Sequence, residues 1–408
     1  MSTTLAIFLA VFGGLLLAAG FLDEIAERVR LPGIVMVLLL GLLTDNRLEA
    51  VPGQPPPLLS LAQADEIAQV SLVLVLFFGG LTTNWREMRP VLVPAGRLAT
   101  LGAGLTALLL MGVVQLLGSL PGTTFDPNLP LALFVGAMVC STDATAVLAL
   151  LRPLADRLPA RLINLIECES AFNDPVAVVL CGLALAMASG AADTTAASLV
   201  TEVVRQFLLG SLLGFLGGTL ASRTLVRRTP RATSSQLAVL SLAVLMLLVG
   251  ATQLLGGSGI LAAYVSGLVL GNSSECDRAV LEEAHAGFAK MAELLLFLCM
   301  GLVVQPEQVV AAFGWGLVLF AAMVLVRLLM VESVLWRSSF SRAERLFTTL
   351  AGLRGAVPIA VAIQAAASSV PWGDAMPPLA LAVVLLGLLL QGLSLVPMAH
   401  RLGLASPP

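Results

Sequence analysis

The chain has 408 residues, of which 58% are hydrophobic and 12% are charged, with a mean hydropathy of +0.98 and a net charge of −3. A soluble protein would carry about 25% charged residues, so this composition excludes a soluble globular protein. The negative net charge argues against nucleic acid as a partner. Because the apolar runs are continuous rather than alternating, they indicate helices that span a lipid bilayer, and not the strands of a barrel.

Thirteen apolar stretches are predicted to be transmembrane helices. The first one has no Lys or Arg before it, whereas a cleaved signal peptide would begin with basic residues, so we expect it to be a membrane helix. The thirteen spans are predicted at about residues 5–22, 31–44, 66–83, 90–118, 130–150, 161–187, 203–222, 234–255, 258–271, 287–304, 308–332, 343–368 and 377–399. The fold expected is an all-α polytopic membrane protein.

The basic residues predict the orientation of these spans. Of the 22 Lys and Arg residues, 18 lie in the C-terminal tail or in connections that follow odd-numbered spans. Only Arg47 and Arg205 follow even-numbered spans, while Arg327 and Arg354 lie inside spans. By the positive-inside rule, this distribution predicts thirteen helices with the N-terminus outside and the C-terminus in the cytoplasm.

Two spans carry interruptions at matching positions. Thirteen helices divide into two units of six around a linker helix, and units that start on opposite sides would form an inverted repeat. The fifth span of the first unit contains Cys140-Ser-Thr-Asp-Ala-Thr145, and the fifth span of the second contains Gly352-Leu-Arg-Gly-Ala-Val-Pro358. Such paired interruptions indicate the ion site of a transporter.

Polar and charged residues are concentrated in span 161–187. Glu169 and Asn173 are four residues apart, as are Ser170 and Asp174, so a helix places all four on one face. Charge in hydrocarbon costs roughly 2.5–3.5 kcal/mol per residue even on the lenient insertion scale, so such residues indicate function. Their oxygen ligands would suit Na⁺, K⁺ or Li⁺, and burial favours the protonated form of a carboxylate. The face is therefore predicted to bind a small cation or to carry a proton.

The two intramembrane arginines each require a buried partner, because an unpaired buried charge is strongly destabilising. A Glu169–Arg327 ion pair would leave Asp174 to alternate between a protonated and a cation-bound form, although both carboxylates could be ligands. At the interruptions, Asp143 would neutralise a half-helix N-terminus, and Arg354 would neutralise half-helix C-terminal ends. The alternative is two separate kinks whose charges face water.

Three further acidic residues are expected to have local roles. Glu167 is expected to line an entrance or to pair with Arg161. Glu293, near Lys290, and Glu332 lie towards span ends and are expected to be solvated or paired locally.

One histidine and a group of glycines leave alternatives open. His285 is predicted to lie in a polar loop with Glu282 and Glu283, with pH sensing as a minor alternative. Four glycines are expected to serve close helix packing, or else a dimer face: Gly210, Gly214, Gly217 and Gly218.

No sequence motif indicates an enzyme. The five cysteines lack Cys-x-x-Cys spacing and are expected to be small buried hydrophobes: Cys140, Cys168, Cys181, Cys276 and Cys299. Both histidines lie outside the predicted spans, and the sequence contains no nucleophile–base or metal-ligand constellation. We expect neither enzymatic activity nor a cofactor.

These stretches resemble the cation–proton antiporter superfamily, specifically its electroneutral branch of NhaP-type and animal sodium/proton exchangers. Glu169-Ser-Ala-Phe-Asn-Asp174 is similar to the Glu-Ser-x-x-Asn-Asp helix of that branch, and Ser141-Thr-Asp143 is similar to its unwound Thr-Asp break. Gly352-Leu-Arg-Gly-Ala356 is similar to its later crossing helix. The stretch from Ser258 to Asn272 and the position of Arg327 also resemble the branch, and the resemblance covers essentially the whole chain.

The resemblance implies a homodimer in which two crossed, discontinuous helices lie in a six-helix core. It also implies one-for-one exchange of a cation for a proton by an elevator-like motion. Asp174 would be the shared carboxylate, Glu169 would pair with Arg327, and Asp143 and Arg354 would compensate helix dipoles. The implied cation ligands, for Na⁺ or K⁺, are Asp174, Asn173, Ser170 and the Thr142 carbonyl.

We expect one transmembrane transporter domain over residues 1–408, with no room for a separate soluble domain. About 1–118 and 203–332 would contribute dimerisation, scaffold and core helices, and about 130–187 and 343–368 would carry the ion-binding core. The expected location is the bacterial inner membrane.

One position departs from the pattern of the branch. Relatives often carry an acidic residue where this chain has Phe78, in Leu76-Phe-Phe-Gly-Gly80. Ion selectivity is therefore not carried over by the resemblance. The function expected is Na⁺/H⁺ antiport, with K⁺/H⁺ antiport as the alternative and a passive cation channel or sensor as an alternative from another class.

Overall fold

The computed structural model describes residues 3–29, 33–44, 46, 57–119, 127–154, 157–190, 195–226, 234–274 and 278–405. Within these ranges the regular secondary structure is entirely helical. Arg47 and Cys276, which the sequence analysis considered, lie outside the described residues.

The described helices are α1 (Thr3–Val29), α2 (Gly33–Leu42), α3 (Leu61–Thr82), α4 (Trp85–Met88), α5 (Leu92–Arg97), α6 (Ala103–Gly118), α7 (Leu129–Met138), α8 (Ala144–Leu151), α9 (Ala160–Ala188), α10 (Ala196–Ala221), α11 (Ser234–Leu254), α12 (Gly259–Gly271), α13 (Arg278–Val303), α14 (Pro306–Leu335), α15 (Arg342–Leu350), α16 (Ala356–Ala367), α17 (Met376–Leu386) and α18 (Leu393–Arg401). Short 3₁₀ or π segments join α4 to α5, α5 to α6, and α17 to α18.

The lengths of these helices fit a membrane protein. Among the described residues, nine helical stretches are long and apolar enough to cross a bilayer, and five apolar helices are shorter. Every predicted span overlaps one of these helices, which confirms an all-α polytopic membrane protein. The count of thirteen crossings and the inverted repeat stay predictions.

Both predicted interruptions are confirmed by the helix boundaries. The first span breaks between α7 and α8, over residues 139–143, and the second breaks between α15 and α16, over residues 351–355. Backbone groups freed by such breaks must be satisfied inside the protein, because hydrocarbon offers no hydrogen bonds. The breaks therefore lie in the interior, where Ser141, Thr142 and Arg354 are all buried.

The interior also contains the cysteines. Cys140, Cys168, Cys181 and Cys299 are buried, free thiols. This confirms the predicted role of these four residues as small buried hydrophobes.

The prediction that His285 lies in a polar loop is wrong. Helix α13 begins at Arg278, so His285 is in its second turn, 2% exposed, with its Nε2 2.7 Å from the Ser241 hydroxyl of α11. Leu281, His285 and Ala289 form a buried stripe at four-residue spacing, whereas Glu283 on another face is exposed. The acidic residues mark the polar face of an amphipathic helix end and not a loop.

The glycine stripe of α10 packs within the chain. A Cβ atom at Gly210, Gly214 or Gly218 would lie 2.8–2.9 Å from backbone oxygens of α12 or of its N-cap residue, Ser258. At Gly217, a Cβ would lie 2.7 Å from the Leu248 side chain of α11. The stripe therefore serves close helix packing, as expected, and the alternative of a dimer face does not apply to it.

This packing predicts that Gly214→Leu lowers the stability of the folded protein by about 1–3 kcal/mol or more, because the side chain would overlap Ala262 and Val265 of α12. The measurement is the thermal stability of the purified protein in detergent. Gly250→Leu in α11 is the matched control, since no atom lies within 4 Å of a Cβ there. Equal losses in both variants would contradict the packing argument.

Candidate ion-binding site

A cavity of about 300 Å³ lies where α3, α9, α12 and α13 meet the first residues of α8 and α16. Four of the predicted site residues contribute to its wall: Thr142, Asp143, Ser170 and Asp174. The first interruption and α9 each contribute two of these residues, so the two elements converge on one space. The cavity lies beside both interruptions, as expected for an ion site built on broken helices.

The first interruption is tied to α9 by a compact hydrogen-bond network. The Asn173 amide donates to the Thr142 hydroxyl over 2.8 Å and accepts from the Thr142 backbone N–H over 3.2 Å. The Thr142 hydroxyl is also 2.9 Å from the Ser170 hydroxyl. Because both ends of the Asn173 amide hold Thr142, Asn173 lies behind the cavity wall rather than on it.

Asp143 links the two interruptions to each other. Its backbone N–H donates to the Leu353 carbonyl over 2.9 Å, so the two breaks meet where the discontinuous helices cross. The Asp143 side chain caps α8 by accepting from Ala146 N–H over 3.1 Å. A carboxylate at a helix N-terminus stabilises the positive end of its dipole. Gly355 is required here, because a Cβ would lie 1.6 Å from the Asp143 carboxylate.

The structure brings Glu169 and Arg327 together as a buried ion pair. Two hydrogen bonds of 2.8 and 3.1 Å join the guanidinium of Arg327 to the two carboxylate oxygens of Glu169. Their side chains are 9% and 3% exposed. The same guanidinium donates to the carbonyls of Thr348 and Thr349 in the last turn of α15. Glu169 is therefore occupied by charge neutralisation and is absent from the cavity wall.

Arg354 lies within the second interruption and is fully buried. Its Nη1 donates to the Gly352 carbonyl over 3.0 Å, and its Nε lies 3.1 Å from the Met323 sulfur. The cation therefore lies just beyond the C-terminal end of α15, where a positive charge offsets the helix dipole.

Asp174 is partly accessible from the cavity and is followed by Pro175 within α9. Proline has no N–H, so the Ala171 carbonyl lacks its usual helical donor four residues on. Ala171 also contributes to the cavity wall. The helix thus presents a carboxylate and a locally weakened backbone on the same stretch.

Aromatic side chains form another part of the cavity wall. Phe78 of α3 lines the cavity, and the fully buried Tyr264 of α12 lines it as well. Tyr264 packs edge to face on Phe172, with ring centroids 5.6 Å apart. Asp174 therefore shares the cavity wall with two aromatic residues, and α3 contributes no carboxylate to that wall.

One predicted pairing is wrong, although its alternative holds. Arg161 binds Glu344 of α15 through two hydrogen bonds of 2.8 Å, and Glu167 lines the cavity. Six residues correspond to about 1.7 helical turns, so Arg161 and Glu167 point away from each other. Sequence reasoning missed Glu344, although Ser341-Arg-Ala-Glu344 has the pattern of a capping box and forms one at the start of α15.

The two remaining acidic residues have the expected local partners. Glu293 lies 3.3 Å from Lys290 on α13, and both contribute to the cavity wall. Glu332 accepts a 3.0 Å hydrogen bond from Arg345. Neither pair involves Asp174.

Comparison with known proteins gives several similar sequences. A family model described as "Sodium/hydrogen exchanger, transmembrane" matches residues 7–401. The K(+)/H(+) antiporter NhaP2 of Shewanella sp. (strain MR-4) is 32% identical over 98% of this chain and 67% of its own length. The K(+)/H(+) antiporter NhaP of Alkalimonas amylolytica is 29% identical over 97% of this chain and 67% of its own length. The Na(+)/H(+) antiporter ApNhaP of Aphanothece halophytica is 27% identical over 83% of this chain and 65% of its own length.

Solved structures show the same fold. The sodium proton antiporter MjNhaP1 from Methanocaldococcus jannaschii at pH 8 superposes with a TM-score of 0.82 at 21% identity, covering 98% of this chain and 99% of that one. An electron-microscopy structure of the same antiporter superposes with a TM-score of 0.75 at 22% identity. At this identity the likeness concerns the fold.

The buried ion pair predicts a non-additive effect on stability. Glu169→Gln leaves the Arg327 charge unpaired in the interior, and we expect it to lower the free energy of unfolding by about 3–5 kcal/mol. Adding Arg327→Gln should restore part of that loss. Denaturant unfolding of both single variants and the double variant in detergent measures the coupling.

Glu332→Gln is the control for this cycle, because its partner Arg345 is nearer the surface and such pairs contribute at most about 1 kcal/mol. Losses that simply add in the double variant would show that Glu169 and Arg327 do not stabilise each other.

Proposed function

This chain belongs to the sodium/hydrogen exchanger family and is an NhaP-type monovalent cation/proton antiporter, and we propose that Asp174 carries the cation and the proton in turn. The observation that supports this assignment is the division of carboxylates at the site. Glu169 is bound to Arg327, and Asp143 caps α8. Asp174 faces the cavity and makes no hydrogen bond or ion pair within the described ranges.

A single unengaged carboxylate is sufficient for exchange. A protonated Asp174 is neutral, and an ionised Asp174 with one bound cation is also neutral, so either form can be buried without a net charge. A cation and a proton then compete for the same oxygens. Release of one on one side and binding of the other on the opposite side produces antiport.

We propose that Ser170 and Thr142 supply further oxygen ligands beside Asp174. Both line the cavity, and the hydrogen bond between their hydroxyls places them side by side. Asn173 contributes by holding Thr142 through both ends of its amide. This assignment changes the role expected for Asn173 from a ligand facing the cavity to a residue that positions a ligand.

The moving part is proposed to be a core that includes both interruptions, about 130–187 and 343–368. Three connections support a common motion of these segments. Asp143 binds Leu353 across the breaks, Asn173 binds the first break, and Arg327 binds Glu169 and the end of α15. The core would move against the scaffold, within a homodimer, by an elevator-like change that exposes Asp174 alternately to either side.

Na⁺ is the first candidate for the exchanged cation, because the matching family is described as a sodium/hydrogen exchanger. K⁺ is the second candidate, and two observations favour it. The relatives at 32% and 29% identity are named K(+)/H(+) antiporters. Phe78 also removes an acid from the cavity wall, which reduces the field available to strip water from the more strongly hydrated Na⁺.

The proposed location is the inner membrane of a bacterium, with the N-terminus outside and the C-terminus in the cytoplasm. The distribution of Lys and Arg among the connections supports this orientation.

The proposed carboxylate predicts loss of exchange in Asp174→Asn. Proteoliposomes with an imposed pH gradient and a pH-sensitive dye report dissipation when Na⁺, K⁺ or Li⁺ is added. We expect the wild type to respond to Na⁺ or K⁺ and the variant to respond to neither, because a carboxamide does not ionise and so can neither exchange a proton nor neutralise a bound cation.

Asp374→Asn is the matched control, since Asp374 is exposed and lies outside the cavity. The control should keep wild-type exchange. Exchange that persists in Asp174→Asn would remove Asp174 from the proposed role.

One-for-one exchange predicts that transport is indifferent to membrane potential, because one positive charge replaces another at Asp174. A potential of either sign, imposed with a gradient of a permeant anion at a fixed pH gradient, should leave the initial rate unchanged. A rate that rises with one sign and falls with the other would exclude one-for-one stoichiometry.

A further inference from the structure

A second cavity, of about 330 Å³, lies apart from the ion-binding site. It is formed by residues from 90–97, before and within α5, by Arg161 at the start of α9, and by residues from 334–340, in the last turn of α14 and just after it. None of its lining residues also lines the ion-binding cavity. The contributing arginines belong to connections that the positive-inside rule assigns to the cytoplasmic side.

The charge of this cavity is one-sided. Three arginines line it (Arg97, Arg161 and Arg337), and no Asp or Glu does. Arg97 and Arg337 are exposed, and no acidic side chain in the described part of the chain forms an ion pair with either. Arginines without acidic partners around one cavity attract an anion, and the planar guanidinium suits phosphate because it donates two parallel hydrogen bonds.

The third arginine is held in place. Arg161 binds Glu344 through Nε and Nη2, which leaves the N–H groups of Nη1 for another acceptor. Its guanidinium also lies 5.5 Å from the centroid of the Phe340 ring, which lines the same cavity. A guanidinium fixed by its neighbours loses little conformational freedom when it binds a ligand.

Apolar side chains lie exposed beside the arginines. Val93 in the cavity wall is 62% exposed, and Trp336, next to Arg337 in sequence, is 71% exposed. A tryptophan at the end of a transmembrane helix is typical of the headgroup level of a bilayer. The site therefore combines cations at headgroup depth with an apolar rim that acyl chains can cover. A free anion would contact the cations but would leave the apolar rim exposed.

We propose that this cavity binds the phosphate group of an anionic phospholipid, with Arg97 and Arg337 as its principal ligands and Arg161 as a fixed third donor. Basic cavities between transmembrane helices on the cytoplasmic side are suited to such headgroups. The lipid would bridge the end of α14 to the segment before α6. Its effect is on the stability of the helical core and not on the chemistry at Asp174.

The test uses the full chain, purified in a neutral detergent, and measures its melting temperature with added lipid. Phosphatidylglycerol should raise the melting temperature of the wild type by several degrees, because a ligand of the folded state stabilises it. Neither the zwitterionic lipid phosphatidylcholine nor inorganic phosphate, at the same concentration, should raise the melting temperature. The double variant R97Q/R337Q should lose most of the phosphatidylglycerol increment.

The matched control is R223Q/R401Q, which removes two exposed arginines that line neither cavity. It should keep the wild-type increment, and native mass spectrometry should show phosphatidylglycerol retained by the wild type and the control but not by R97Q/R337Q. All variants should exchange cations in vesicles of neutral lipid, which separates this test from that of Asp174.

Three results would overturn the proposal. An undiminished increment in R97Q/R337Q would mean that bulk lipid stabilises the protein elsewhere. An equal loss of the phosphatidylglycerol increment in R223Q/R401Q would mean that the increment depends only on the overall charge of the protein. An equal increment with inorganic phosphate would show a free-anion site in place of a lipid site.

Discussion

The neutralisation of Arg327 is the constraint on which the arrangement of the core depends. Its guanidinium, from α14, binds the Glu169 carboxylate on α9 and two carbonyls in the last turn of α15. A charge in a low-dielectric interior is tolerated only with such partners. One side chain therefore fixes three helices relative to each other. It also removes Glu169 from the cavity wall, whereas Asp174, five residues further along α9, lines the cavity and makes no hydrogen bond or ion pair within the described ranges.

The backbone groups of the two interruptions also need partners inside the protein, as the buried charge of Arg327 does. A broken helix exposes N–H and C=O groups that lipid cannot satisfy, so the protein must supply partners. Asp143 caps α8, Asn173 accepts from the Thr142 N–H, and the Asp143 N–H binds the carbonyl of Leu353. These bonds make the breaks stable, and they also bring hydroxyl oxygens to the side of Asp174. The same contacts therefore stabilise the breaks and form the site.

Close backbone approach completes the core. Gly355 leaves room for the Asp143 carboxylate, and Gly352 leaves room for the Arg327 guanidinium, since a Cβ at these positions would lie 1.6 and 2.1 Å from those groups. Two structural requirements therefore explain the sequence Gly-Leu-Arg-Gly at the second interruption. Its glycines admit charged groups from other elements, and its arginine compensates the end of α15.

Much of the architecture could be predicted because hydrocarbon imposes strong rules on sequence. Continuous apolar runs predicted the helices, and breaks in the pattern predicted the interruptions. The region around His285 was misread because its acidic neighbours resemble a loop, whereas the amphipathic end of α13 buries one stripe and exposes the other. The Arg161–Glu344 pair was missed because its partners are 183 residues apart, and local spacing carries no information about such contacts.

The sequence by itself determined the class of protein, the two interrupted helices and the small set of charged residues that the membrane interior has to accommodate. The reason is that each buried charge or broken helix is costly enough to mark its own position. Only the tertiary structure decided how those residues divide the work. It placed Asn173 behind Thr142, bound Glu169 to Arg327, and left Asp174 facing a cavity that Phe78 and Tyr264 make less polar. Those outcomes depend on which helices cross, and packing between distant segments sets that crossing.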